Sequence, residues 1–148
     1  MAAQRIRPLA LCVFHHNGKI LVNQAYDKVK EQHFFRPIGG GIEFGELSAQ
    51  TVVREVREEL GVAISGVRLL GTLESLFMYD GTQGHEIVQI YDADFDDSSL
   101  YQQPHLNGHE TDGMAFTASW HDSSSFTHQA PLVPVGLYEL LKKAGLLD

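Results

Sequence analysis

The chain has one cysteine, Cys12, among its 148 residues, so no internal disulfide can hold it together. That usage fits a reducing compartment, and a cytoplasmic protein is expected. Basic residues are scarce: 11 Lys and Arg stand against 19 Asp and Glu, giving a formal net charge of -8. No general basic surface is available to grip phosphate backbones, so nucleic acid is not an expected partner. Long apolar runs are also missing. Leu9 to Phe14 is the start of one, but His15-His16 breaks it. It is too short for a signal peptide and far too short for a membrane span, so neither export nor membrane association is expected.

Several sequence signatures of known chemistry are incomplete. Gly40 and Gly45 are followed by Glu46 and Leu47 where a phosphate loop needs Lys and Ser or Thr. Gly39 to Ile42 lacks the third glycine of a dinucleotide fingerprint, and no G-x-S-x-G serine elbow occurs. His85-Glu86 and His109-Glu110 each begin like a zinc-protease helix but lack the second histidine.

What remains is ordinary globular composition, 43% hydrophobic and 20% charged, over a length that suits one domain, 1–148. Ile6 to Phe14 and Ile20 to Tyr26 flank Asn17-Gly18 and are expected to pair as an antiparallel hairpin. After a charged loop, Asp27 to Gln32, comes Phe34-Phe35-Arg36-Pro37-Ile38 and three glycines, where backbone can approach a ligand. A helix follows, with Ser48 as its expected N-cap and Gly61 as its stop. Val67 to Tyr79 and His85 to Phe95 read as a second hairpin, Asp96 to Gly113 as a long loop, and Met114 to Trp120 as a strand. Asp122 to Pro131 is again loop-like, and Leu137, Leu140, Leu141 and Ala144 mark a closing amphipathic helix. Strands around two helices point to an α/β fold with a mixed sheet between helices.

The first helix carries the chemistry. At about 100° per residue, Glu55, Glu58 and Glu59 fall on one narrow face. Ala49, Val52, Val53, Val56 and Leu60 form the adjacent apolar arc. Like charges at this spacing destabilise a helix, so the face makes sense chiefly with something positive, most simply a divalent cation, among them. Arg54 lies four residues before Glu58 and is expected to orient it.

These positions belong to a longer pattern. Gly40, Glu46, Arg54, Glu55, Val56, Glu58, Glu59, Gly61 and Val62 fill G-x5-E-x7-R-E-U-x-E-E-x-G-U, with U aliphatic, at every fixed position. The chain therefore resembles the Nudix hydrolase family, and the strands and final helix around the box extend the resemblance over nearly the whole length. The resemblance implies a Nudix-type α/β/α sandwich and metal-dependent hydrolysis of a phosphoanhydride in a nucleoside diphosphate linked to another group. It implies Mg2+ as cofactor, with Mn2+ as a substitute, and a small nucleotide or nucleotide conjugate as partner. By the same resemblance Glu58 and Glu59 are the leading metal ligands, Glu55 is a ligand or the general base, and the Gly39 carbonyl is a further ligand. The catalytic set is then Glu55, Glu58 and Arg54, with Glu46 as a supporting partner of the box.

Outside the box, Glu86, Glu110 and Asp112 compete with Glu55 for the role of base, each having an equally plain reading as a solvated strand or loop residue. His15, His16, His33, His121 and His128 show no metal-ligand spacing and are expected on the surface. Tyr26, Phe34, Phe35 and Tyr79 could stack on a base, although strand aromatics more often belong to a core. Tyr79 stands 17 residues beyond Val62, where some dinucleoside-polyphosphate hydrolases of the family carry tyrosine, and no proline lies nearby as in ADP-ribose hydrolases. The alternatives are a catalytically silent sensor or interaction module of the same fold and a pyrophosphohydrolase of RNA 5'-ends, the latter disfavoured by the acidic charge. The number of metal ions and the oligomeric state, a homodimer included, stay open.

Overall fold

The computed structural model describes residues 4–148, so residues 1–3 of the expected domain lie outside the described residues. In chain order the elements are β1 (Ile6–Val13), β2 (His15–His16), β3 (Lys19–Asp27), β4 (Gln32–Arg36), β5 (Ile38–Gly41), α1 (Ser48–Leu60), β6 (Ile64–Tyr79), β7 (Thr82–Phe95), β8 (His105–His109), β9 (Ala115–His121) and α2 (Leu137–Lys143).

β1 organises the molecule. Leu9, Leu11 and Val13 are buried on one side of it, and Ala10, Cys12 and the following Phe14 on the other. A strand covered on both faces reads as a continuous apolar run and needs a central place in its sheet. It receives one between β7, parallel to it, and β5, antiparallel. The resulting order, β5-β1-β7-β6, is a mixed sheet. A second, antiparallel sheet runs β2-β3-β9-β8, with β4 also paired to β3. Val52 and Val56 of α1 pack with Ala10, Cys12 and Phe14, while Leu137 and Leu141 of α2 pack with Leu9, Leu11 and Val13. The helices therefore cover opposite faces of β1, which is the expected α/β/α sandwich.

Two local expectations change. The Asn17-Gly18 turn forms, with positive φ at both residues (53° and 78°), but its hairpin extends only through His16↔Lys19, His15↔Ile20 and the Leu21 N–H to Phe14 carbonyl bond. β1 beyond that point leaves for the other sheet, because its two buried faces demand neighbours on both edges. The second hairpin closes on a tight Asp80-Gly81 turn rather than a five-residue loop.

The stretch 96–113 is structured as well. It holds a 3-10 turn at Ser98–Gln102 and the edge strand β8, whose Leu106 and Gly108 face inward while His105, Asn107 and His109 face out. With so few apolar residues its alternation leaves a faint sequence signal. The segment 122–131 contains a 3-10 turn at Ser123–Ser125.

Gly39 shows how tightly β5 is laid on β1. Its φ is 152°, and a Cβ there would overlap the Ala10 carbonyl and lie 2.7 Å from Leu11 Cα. Gly41, two residues on, has open space at the same position. Gly39→Ala should destabilise the protein by about 1–3 kcal/mol through overpacking and strain, whereas Gly41→Ala should stay within about 0.5 kcal/mol of wild type. Urea denaturation midpoints of the two variants check this, and equal midpoints would remove the close-packing account.

Candidate active site

The site is built on the side of α1 next to its apolar stripe. Val52 and Val56 are fully buried and fix the helix roll, which carries Glu55 (6% exposed) and Glu59 (7% exposed) inward with them. Glu58 sits one position outside this arc, and its side chain is 53% exposed. Val53, expected in the apolar arc, lies toward solvent. The helix begins one residue earlier than a Ser48 cap would place it: Leu47 is the N-cap, and its N–H donates to Gln50 Oε1 at 2.8 Å. The Ser48 hydroxyl instead bonds the Tyr91 hydroxyl at 2.6 Å, tying the helix start to β7. At the other end Gly61 takes the left-handed conformation and donates to the Arg57 carbonyl, as expected of a C-terminal stop.

Arg54 organises the carboxylates. Its Nε donates to Glu46 Oε2 at 2.7 Å and its Nη2 to Glu46 Oε1 at 2.9 Å, a two-pronged pairing. Nη1 donates to Glu55 at 2.9 Å and to Glu58 at 3.3 Å, and Nη2 also reaches the Gly41 carbonyl at 3.1 Å. Orienting Glu58 is thus the weakest of its tasks, since that partner is solvated and an exposed i, i+4 pair contributes little. Glu46 further accepts from the Thr51 hydroxyl at 2.7 Å and the Glu43 N–H at 3.2 Å. The Arg54 guanidinium, then the Thr51 hydroxyl, hold the Glu46 carboxyl down at about 2. The same contacts raise Arg54 above its ordinary value.

Glu55 and Glu59 face each other in the cleft. A Cβ on Gly40 would lie 2.6–2.7 Å from the Glu55 carboxyl group, so the glycine opening the box is there because the carboxylate fills that space. Glu59 is pushed up to about 9, first by burial, then by a hydrogen bond with Glu55 and by the negative charges of Glu110 and Glu55, against a lowering effect of Arg36. Burial and the neighbouring negative charges thus favour the protonated form of Glu59 at neutral pH. Hard, desolvated carboxylate oxygens that must share a positive charge are a fitting donor set for a divalent cation. Among the described residues no three Asp, Glu, His or Cys side chains converge on one point. Glu55 and Glu59 are in place, while Glu58 leans on Arg54 and would have to turn to join them.

The remaining candidates separate by geometry. Glu110, half-buried at the end of β8, is near enough for its charge to act on Glu59. Asp112 is committed to its own turn, accepting from the Met114 N–H at 2.9 Å. Glu86 on β7 pairs with Arg7 at 3.5 Å, and burial raises its pKa. Tyr79 stands at the tip of the β6–β7 hairpin, edge-on to Phe34 at 5.8 Å, whereas Phe35 is a core residue. His121 is not a free surface residue: it packs against Phe35 and bonds Ser119 and Ser125. His15 likewise bonds Asp92 at 3.3 Å.

Asp27 carries a role that sequence reading missed. Almost fully buried, it accepts from the N–H groups of Val29, Lys30 and Asp80, clamping the β3–β4 turn to the β6–β7 turn. Its signal was an aspartate at a strand end before a charged turn, a common Asx-turn pattern.

The two perturbed carboxyls act on stability with opposite signs. Glu59 binds its proton more tightly folded than unfolded, so stability without metal should fall as pH rises from about 4.5 towards 9, by at most about 1.4 kcal/mol per pH unit. Glu46 is depressed, so its contribution is present above about 4.5 and lost as pH falls towards 2. In metal-free thermal melts, Glu59→Gln should flatten the alkaline decline and melt above wild type at pH 8. Glu46→Gln should melt below it at neutral pH, with the gap closing in acid. A Glu59→Gln variant with the wild-type alkaline slope would show that the pair is not desolvated.

Comparison with known proteins agrees with this geometry. A family model described as NUDIX domain matches residues 5–142. Over 52 residues, 35% of this chain, the sequence is 42% identical to MutT4 of Mycobacterium tuberculosis (strain CDC 1551 / Oshkosh), a match that spans only 21% of that protein's length. The solution structure of the E. coli ORF135 protein shares the fold at a TM-score of 0.64 and 23% identity, covering 98% of this chain and 96% of that one. The crystal structure of a MutT NUDIX hydrolase from Burkholderia pseudomallei does so at a TM-score of 0.65 and 18% identity, covering 93% and 97%. At these identities the two structures speak for the fold, whereas the family model takes in both the box and the strands and helices around it: the chain belongs to the NUDIX domain family.

Proposed function

We propose that the protein is a metal-dependent Nudix hydrolase that cleaves a phosphoanhydride bond in a small nucleotide or nucleotide conjugate. The observation that carries this reading is the pair Glu55 and Glu59, two carboxylates buried side by side on the box face of α1, where burial first and the nearby acids next push Glu59 up to about 9 and a cation would relieve the repulsion. Nudix hydrolases generally use divalent metal ions. Glu55, Glu59 and a rotated Glu58 would hold Mg2+ or Mn2+, with the Gly39 carbonyl as a further oxygen donor beside them. A divalent ion there supplies polarisation of a phosphoryl oxygen and activation of a water.

The chain's own groups do the rest. Arg54 fixes the rotamer of Glu55 and, through Glu46, folds the loop 43–47 against the helix, so the donor oxygens are positioned before substrate arrives. Glu110 is the acid best placed to accept a proton from the attacking water, because it is near enough for its charge to act on Glu59. Glu86 is second, since burial has moved it towards a basic carboxylate. Asp112 drops out as a base because its carboxylate is spent on the local turn.

An assay over a panel of nucleotide pyrophosphates with Mg2+ and Mn2+, and product analysis of the bond cut, tests the reading. Wild type should release product only with metal and lose activity on chelation. Glu58→Gln and Glu59→Gln should each lower kcat/KM by roughly 100-fold or more, at least the upper range for losing a group that merely supports a metal ligand. Both variants should keep a folded, cooperative melt. Turnover equal to wild type in both would sink the assignment. A wild type that binds nucleotide with metal yet cleaves nothing in the panel would favour the silent-sensor alternative.

A further inference from the structure

Two arginines are half-buried, and they are treated very differently. Arg54 is bonded to Glu46, Glu55, Glu58 and the Gly41 carbonyl. Arg36, among the described residues, makes no side-chain hydrogen bond and no ion pair within 4.0 Å. A guanidinium always carries its charge, and holding one partly out of water without a partner costs free energy. The neighbourhood nevertheless contains acids: its charge is felt by both Glu59 and Glu86. Arg36 therefore lies within electrostatic reach of Glu59 and of Glu86 without being paired to either.

Its place in the fold is set by the backbone. It ends β4, in register with Asn23, and Pro37 immediately follows, so the chain stays extended into β5. Four residues later, in β5, a Cβ on Gly40 would meet the Glu55 carboxyl. Arg36 thus stands just before the strand that lies against Glu55, and core burial of Phe35 and Ile38 on either side holds that segment in place.

Resting on the hydrolase reading above, we propose that Arg36 is a substrate-binding residue that takes the non-bridging oxygens of one phosphoryl group of the diphosphate. Carboxylates provide the metal side of the site, and Arg36 is the half-buried cation beside them with donors free. Its planar fork suits a phosphate bidentately, which a point charge does not. The ligand supplies the missing counter-charge, so an arrangement unfavourable in the free protein becomes favourable in the complex.

The test uses the full chain and inorganic pyrophosphate as probe, titrated calorimetrically with Mg2+ present, on wild type, Arg36→Lys and Arg36→Met, alongside their metal-free melting temperatures. Arg36→Met should bind pyrophosphate at least about tenfold more weakly, and Arg36→Lys should recover only part of the loss. In steady-state assays on a cleaved nucleotide the loss should fall mainly on KM. The free Arg36→Met protein should melt at or above wild type, because an unpaired charge has been removed. Unchanged pyrophosphate affinity in Arg36→Met would overturn the proposal while leaving the hydrolase reading intact. A lowered melting temperature of the free Met variant would also overturn it, by showing that the side chain is structural. If wild type itself neither binds pyrophosphate with metal nor hydrolyses any substrate, both readings fall together.

Discussion

The structure turns on two carboxylates, Glu55 and Glu59, pressed together out of water on one side of α1. Like charges in that position would push the helix off the sheet were it not anchored from both directions. Val52 and Val56 bury the adjoining stripe against Ala10, Cys12 and Phe14, and Arg54 donates to Glu55. The arrangement is possible because the helix carries its apolar and acidic arcs side by side. A roll that buries one necessarily desolvates the other. Burial and charge repulsion both drive the pair to hold a positive species, a proton when nothing else is present.

Arg54 shows why the box spans so many residues. It lies one residue from Glu55 and four from Glu58, but its shortest contact runs back eight residues to Glu46, and another reaches thirteen residues back to the Gly41 carbonyl. The loop between β5 and α1 is therefore wrapped around a guanidinium. Gly40 completes the contact from the other side, since any side chain there would occupy the space of the Glu55 carboxyl. Substituting one of these groups disturbs the placement of the rest, so their effects should be strongly non-additive.

What could be read from the sequence follows the range of the interaction. Helix periodicity is local, so the acid face, the apolar stripe and the Gly61 stop are all legible in the residues between Ser48 and Gly61. So is the first turn, because Asn17-Gly18 announces itself, whereas the second hairpin closes at Asp80-Gly81, inside the five residues 80–84 expected to separate its strands. Partners are not local. The continuous apolar run Leu9 to Phe14 signals burial on both faces, but nothing in it names β5 and β7 as the neighbours it takes in place of its hairpin partner. β8 escapes for a different reason: only Leu106 gives its inward face an apolar side chain, while the other inward position, Gly108, is small because it lies against the Glu59 carbonyl and Leu60. Asp27 and His121 are hidden alike, as polar residues whose burial depends on strands far away in sequence.

The same division runs through the chemistry. The acids of the box sit on a helix locked by packing, and packing of that kind tolerates little displacement. The groups that stand around the cleft come from elsewhere: Arg36 from β4, Glu86 from β7 and Glu110 from the end of β8. Their positions relative to one another depend on two sheets and on the clamp that Asp27 makes between the β3–β4 and β6–β7 turns. A protein of formal charge -8 offers a polyanion little general attraction. A half-buried guanidinium such as Arg36, without an ion pair among the described residues, would act on an anion at short range, where one charge counts for more than several on the surface.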